Sequence, residues 1–279
     1  MKNLFLAILC FVSTNGFAQV SLPASSPTQT TMQKFGNGSI EITYSRPSMK
    51  GRVIFGGLET WGKVWRMGAN EATRIRFTLP VNIANTPIDT GTYAMYAIPN
   101  KNEWIIILNK GTKNWGAQGY AESDDVVRFT TKPETLHEVV ETLSIQMTNF
   151  TNETCDLELT WEKTRIQFTI RVNLRDDLRK QVEQGLATGK TNVWTAAEFY
   201  FHWDKNYKLS LDYTKQALAI AEGKGRKVPW MYLLKAKNEL ALGDKASAKV
   251  SAEKCVQLAR ETNFESYANQ GLSLMKQLE

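Results

Sequence analysis

The sequence predicts an α+β chain of two modules: an all-β antiparallel sandwich over residues 32–173, then an α-helical repeat region over 174–279. Three observations predict this. Apolar residues alternate with polar ones in short runs up to about residue 172. Gly and Pro punctuate those runs as turns. Near residue 174 the apolar spacing lengthens from two to the three-to-four of a helix.

In chain order, Met1–Ala18 reads as a secretory signal peptide. Lys2 is the positive start, Leu4–Val12 the apolar run, and Gly16-Phe17-Ala18 the small-x-small site, so cleavage is expected between Ala18 and Gln19. The run is well short of the roughly 20 apolar residues that a span needs, and no later segment qualifies, so no membrane span is predicted. Residues 19–31, with S-L-P-A-S-S-P-T-Q-T-T from Ser21, read as an extended linker. Strands are then predicted around Ile40-Ile42-Tyr44, Ile75-Phe77-Leu79 and Leu143-Ile145-Met147. Trp104–Leu108, apolar throughout, reads as a central strand. Pro87–Thr90 reads as a turn. Leu157-Leu159-Trp161 and Ile166-Phe168-Ile170, separated by Glu162–Arg165, read as two strands of a hairpin whose turn lacks glycine.

The helical half opens with Leu178, Val182 and Leu186, followed by Trp194-Ala197-Phe201 and Tyr207-Leu211-Thr214-Leu218. Trp230–Leu242 and Ala246–Leu258 repeat the shape, and Gly243-Asp244 marks a helix stop and restart. Phe264–Leu278 reads as a terminal capping helix. Ala197, Ser210, Thr214 and Ala217, then Ala236, Ala248, Ala252 and Cys255, resemble the small packing positions of the tetratricopeptide repeat. The spacing is slightly longer than its typical period of about 34 residues. Glu239 stands where that pattern expects an aromatic. A plain helical bundle is the competing reading.

Composition narrows the chemistry. Two histidines, and Cys155 and Cys255 in different modules, give no metal site of usual ligand spacing and no cofactor motif. The two cysteines read as small apolar residues, with one disulfide as the alternative. The formal net charge is +6. Arg46, Lys50, Arg52, Lys63, Arg66, Arg74 and Arg76 face only Glu59 and Glu71 within one stretch. An export signal argues against nucleic acid as the partner and for an anionic one, such as an acidic glycan.

Three motifs stand out: S-R-P-S-M-K-G-R-V-I-F-G-G-L (Ser45–Leu58), W-G-K-V-W-R-M-G-A-N-E-A-T (Trp61–Thr73) and D-T-G-T-Y-A-M-Y-A-I-P (Asp89–Pro99). In this order they resemble the domain of unknown function 2911 family over roughly Gln33–Val172. Met67 departs from the small polar residue usual there. The resemblance implies an exported protein of a kind common in Bacteroidetes and brings no established activity.

The second motif fits neither helix nor strand period, and irregular polar and aromatic backbone is where sites sit. The candidate ligand-binding residues are Arg46, Arg52, Trp65, Arg66, Asn70 and Glu71. Arginine forks suit carboxylates or phosphates, and indole faces suit sugars. The competing reading is a structural knot in which Arg66, Asn70 and Glu71 tie the segment to the sheet. A two-carboxylate site for glycoside hydrolysis would need Glu71 with Asp124 or Asp125. The function expected is a periplasmic or secreted binding module without catalysis. Its β domain would take an anionic or carbohydrate ligand and its helices a protein partner. The alternatives are a hydrolase of an anionic envelope polymer and a scaffold with no small-molecule site.

Overall fold

Alternating burial builds the first half of the chain. In a computed structural model that describes residues 22–278, strands β1 (Thr28–Phe35), β2 (Gly38–Ser45), β3 (Ala69–Phe77), β6 (Gly91–Ile98), β7 (Trp104–Asn109) and β8 (Asp125–Thr131) form one antiparallel sheet in the order β1-β2-β3-β6-β7-β8. Strands β4 (Val81–Ile83), β5 (Thr86–Ile88), β9 (Glu134–Thr148) and β10 (Thr154–Arg171) form a second, ordered β5-β4-β10-β9. Ile40, Ile42, Ile75, Met95 and Ile106 of the first sheet share one buried core with Ile83, Ile145, Leu157, Leu159 and Ile170 of the second. This is the predicted antiparallel sandwich. The continuous apolar run of β7 is explained by cover on both faces: Ile106 and Leu108 enter the core, and Ile107 packs outside with Tyr96 and Ala94.

Three local expectations are corrected. The linker ends early, because Thr28–Thr31 are already in β1, paired with Ser45–Ile42 of β2. The signal peptide lies outside the described residues. No hairpin turns at Glu162–Arg165: β10 runs through as one strand of 18 residues. The inward set passes from odd positions (Leu157, Leu159, Trp161) to even ones (Ile166, Phe168, Ile170) across irregularities at Thr160–Thr164, where Glu162 adopts φ 56°. A bulge changes which face a strand buries without reversing the chain. Pro87 is inside β5, an edge strand where a missing N–H is tolerated. The turn before it is Ala84-Asn85, both with positive φ.

Six helices follow: α1 (Arg175–Ala187), α2 (Val193–His202), α3 (Tyr207–Gly223), α4 (Pro229–Ala241), α5 (Lys245–Glu261) and α6 (Glu265–Lys276). Asn192, Asn206 and Asp244 cap α2, α3 and α5 by accepting from the backbone N–H three residues on. Gly243 ends α4 at φ 86°. The small residues at the repeated positions are buried, and Ser210 Oγ donates to Ala197 O at 2.8 Å. Cys155 and Cys255 are free and buried in separate cores. Burial and Asp156 push the Cys155 thiol up to about 12, and burial pushes Cys255 to about 11, which disfavours the thiolate of both at neutral pH. No described helix is long and apolar enough to cross a membrane.

Candidate functional site

The sandwich is closed at one corner by the segment that leaves β2. Met49 N donates to Glu141 O (2.8 Å), Leu143 N to Pro47 O (3.0 Å), and Ser48 Oγ lies 2.8 Å from Thr142 Oγ1. The chain then turns sharply. Lys50 (φ 50°) and Gly51 (φ 73°) occupy the centre of a turn closed by Arg52 N to Met49 O at 3.1 Å. The Arg52 side chain folds back on this turn, donating from Nε to Met49 O (2.8 Å) and from Nη2 to Ser48 O (2.7 Å).

The second motif runs alongside. Trp65 exchanges two backbone hydrogen bonds with Ala97 of β6, at 2.7 and 2.9 Å. Its side chain is 3% exposed. It stacks with Trp161 at 6.0 Å and meets Phe55 and Trp104 edge-on. Trp61 covers Phe55 from outside, and a Cβ on Gly56 would meet its Nε1 at 2.2 Å, which fixes glycine there. Beyond Trp65 the chain bulges out of the sheet. Met67 (φ 52°) and Asn70 (φ 59°) are left-handed, and Thr73 refastens the loop through Oγ1 to Met67 O at 2.8 Å.

These two segments, with Ser25 and Ser26, enclose a cleft of about 250 Å³. Lys50, Arg52, Glu59 and Arg66 line it, and Trp161 forms part of its wall. Arg66 donates to backbone carbonyls, from Nη1 to Asn70 O (3.1 Å) and from Nε to Gly68 O (3.4 Å). Burial pushes the Glu59 carboxyl up to about 7, against the opposing pull of Arg66, then Arg52, then the Trp65 indole. That indole Nε1 is buried without an acceptor at hydrogen-bond geometry. Its pull on the carboxyl is accordingly the weakest of the three.

The six sequence candidates do not converge on one cleft. Arg52 and Arg66 line it. Trp65 is core beneath it. Arg46 sits at the corner, its Nε given to Leu143 O at 2.9 Å. Asn70 and Glu71 line a different hollow of about 350 Å³ with Tyr44, Arg74 and Trp115. There Asn70 Nδ2 donates to Ser26 O (3.2 Å) and Ser45 Oγ (3.1 Å), while exposed Glu71 pairs with Arg74 at 2.9 Å. Arg66 and Asn70 thus both fasten the irregular segment by hydrogen bonds, while Glu71 stands apart in its pair with Arg74. Asp125 is held by Asn109, Tyr120 and Arg128, and neither it nor Asp124 lines the hollow with Glu71. Glu59 and Lys50 are the charged residues of the cleft lining that are missing from the sequence candidates. A lone acid between Arg52 and Arg66 is the signal that points to Glu59.

In the helical half, α2, α4 and α6 line a groove of about 450 Å³ with Trp194, Trp230, Phe264 and Tyr267, beside Glu198 and Lys237. Among the described residues, no group of three or more His, Cys, Asp or Glu is arranged to hold a metal ion.

An antiparallel sandwich with a small cationic cleft, carrying a helical module at its C-terminal end, is the class of protein that these features define. Residues 26–170 match the model of a family described as protein of unknown function (DUF2911), and the chain belongs to that family. No curated protein and no solved structure matches the chain.

Proposed function

We propose that this is an exported, non-catalytic binding protein of the cell envelope, periplasmic or secreted, whose sandwich holds a small anionic ligand in the Lys50–Arg52–Arg66 cleft. The observation that carries this reading is the charge lining of that cleft. Three cationic side chains line a space with one carboxylate, Glu59, and the Arg66 fork gives its hydrogen bonds to the backbone carbonyls of Gly68 and Asn70. Oriented guanidinium groups suit a carboxylate, sulfate or phosphate group. Glycoside hydrolysis uses two carboxylates across the bond, and this cleft supplies Glu59 from its lining. That favours binding over hydrolysis.

The helical module is, in this proposal, a short tetratricopeptide-like stack that docks a protein partner. Supporting it are the buried small residues at repeated positions and the aromatic groove shared by α2, α4 and α6.

Calorimetric titration of the protein from Gln19 onward with sulfate, phosphate and glucuronate at pH 6 tests the cleft. Binding of one of these should weaken at least tenfold in Arg66→Ala, a loss of about 1.4 kcal/mol. Equal binding by Arg66→Ala and the unaltered protein would rule the cleft out.

A further inference from the structure

We propose that the cleft takes up its anion together with a proton, the anion held by Lys50, Arg52 and Arg66 and the proton by the Glu59 carboxylate. This rests on the anion-binding reading and goes further, because it fixes the form of the occupied site.

Glu59 shares the cleft lining with all three cations, so an oxyanion seated among them is brought beside its carboxylate. Two negative groups enclosed together repel, and the less costly state protonates one of them. Glu59 is suited to be that one. Its backbone is fixed by Gly56 N to Glu59 O at 2.7 Å and Glu59 N to Ile54 O at 2.8 Å, so the carboxylate is not free to leave the lining by moving its main chain. Arg66 and Arg52 reach it electrostatically, yet their hydrogen bonds go to the carbonyls of Gly68, Asn70, Met49 and Ser48. Arg52 from the turn after β2 and Arg66 from the second motif act on Glu59, and Lys50 of that turn shares its cleft lining. Glu141 of β9 is engaged elsewhere, accepting from Lys50 N at 2.9 Å. Without an anion, the carboxylate partly neutralises the two arginines. With one, the anion takes over that role and Glu59 becomes a neutral acid able to donate one hydrogen bond. Burial already holds its proton near neutral pH, so the exchange needs little additional work.

Size narrows the ligand. About 250 Å³ is below the roughly 300–1,000 Å³ of sites for drug-sized molecules, so the cleft suits one oxyanion group on a small body. A free small acid and the acidic end group of a larger molecule share that chemistry. Inorganic sulfate represents the first and glucuronate the second.

Sulfate is the decisive probe because its charge does not change between pH 6 and 8. Titration calorimetry of the full chain should give about tenfold tighter sulfate binding at pH 6 than at pH 8. At pH 7, comparison of two buffers of different ionisation enthalpy should reveal uptake of about half a proton per ion. Glu59→Gln should bind sulfate with the same affinity at both pH values and take up no proton. Equal affinity of the unaltered protein at both pH values, or retention of the pH dependence in Glu59→Gln, overturns the coupling and leaves the cleft as an anion site. Absence of sulfate and glucuronate binding at either pH overturns the anion-binding reading itself. If Glu59→Gln does not fold, proton uptake by the unaltered protein decides: none means no coupling.

Discussion

Glu59 and Arg66 face the same cleft, yet the guanidinium directs its hydrogen bonds to Gly68 O and Asn70 O and leaves the carboxylate only long-range attraction. Burial outweighs that attraction, and the sign of the result sets a pH dependence. A carboxyl raised from 4.5 to about 7 by folding is protonated in both states below pH 4. As the pH rises, the unfolded chain releases its proton first, so the fold loses stability between about pH 4.5 and 7. Glu59→Gln escapes this loss. Allowing for solvent screening of a partly exposed group, the variant should be more stable than the unaltered protein by about 1–2 kcal/mol at pH 8 and equal to it near pH 4. Urea midpoints across that range measure it, and a constant difference between the two proteins would contradict it.

Trp65 answers a different question. Fully enclosed by Phe55, Trp104 and Trp161, it offers no face to a ligand. Trp65→Ala should destabilise the sandwich by about 3–5 kcal/mol, the usual cost of deleting a buried aromatic. Chemical denaturation followed by far-UV circular dichroism gives the figure. A loss under 1 kcal/mol would mean that the ring is not the core element described.

The separation of Arg66 from Glu71 predicts unequal variants. Glu71→Ala removes an exposed pair with Arg74 and should change stability by less than about 0.5 kcal/mol. Arg66→Ala removes two charge-assisted bonds that fasten the bulged loop and should cost about 1–2 kcal/mol. Equal large losses would instead indicate that the two residues work as a pair.

Much of this arrangement is legible in the sequence, and the failures have physical causes. Ile40-Ile42-Tyr44 and Ile75-Phe77 declare their strands because period-two burial is a local property. Gly243-Asp244 declares a helix break for the same reason: one residue takes positive φ and the next caps. The continuity of β10 is hidden because a parity change from Trp161 to Ile166 looks the same whether the chain turns or bulges. The cleft is hidden because Lys50 and Glu59 are brought beside Arg66 by the corner pairing of Pro47–Met49 with Glu141–Leu143, which no spacing reveals. Aromatic content misleads as well, since the same tryptophans suit a sugar or a core. Only their 3% and 0% exposures at Trp65 and Trp104 separate the two.

Glu239, in place of the aromatic that the repeat pattern expects, is buried in α4 and satisfied there. Lys235 Nζ reaches it at 2.7 Å, and Ser251 Oγ of α5 donates to it at 2.6 Å. Removing one charge leaves the other without its counterpart. Lys235→Met should therefore cost about 3–5 kcal/mol, and Lys235→Met with Glu239→Leu appreciably less than the sum of the two single changes. Additive single and double variants, in thermal unfolding monitored at 222 nm, would show that the pair is not coupled.

Leu174 follows β10 but packs against the sandwich core, where its Cδ1 lies 2.8 Å from the position of a Cβ on Gly36. Val172 is fully buried and donates its N–H to Glu153 O at 2.9 Å. Both therefore belong energetically to the sandwich, although they lie beyond its last strand. Ties across the joint include polar ones: Arg175 to Glu153 at 2.9 Å, and Asn152 Nδ2 to His202 O at 3.0 Å. A fragment of residues 22–174 should accordingly unfold cooperatively with a β-type spectrum. A fragment of 22–171 should be less stable by roughly 2–4 kcal/mol, the burial of one valine and part of one leucine. Urea unfolding of the two fragments measures the difference. Equal stability would mean that Val172 and Leu174 serve the helices instead. A 22–174 fragment that binds hydrophobic dye and unfolds without a transition would mean that the two modules share a core after all.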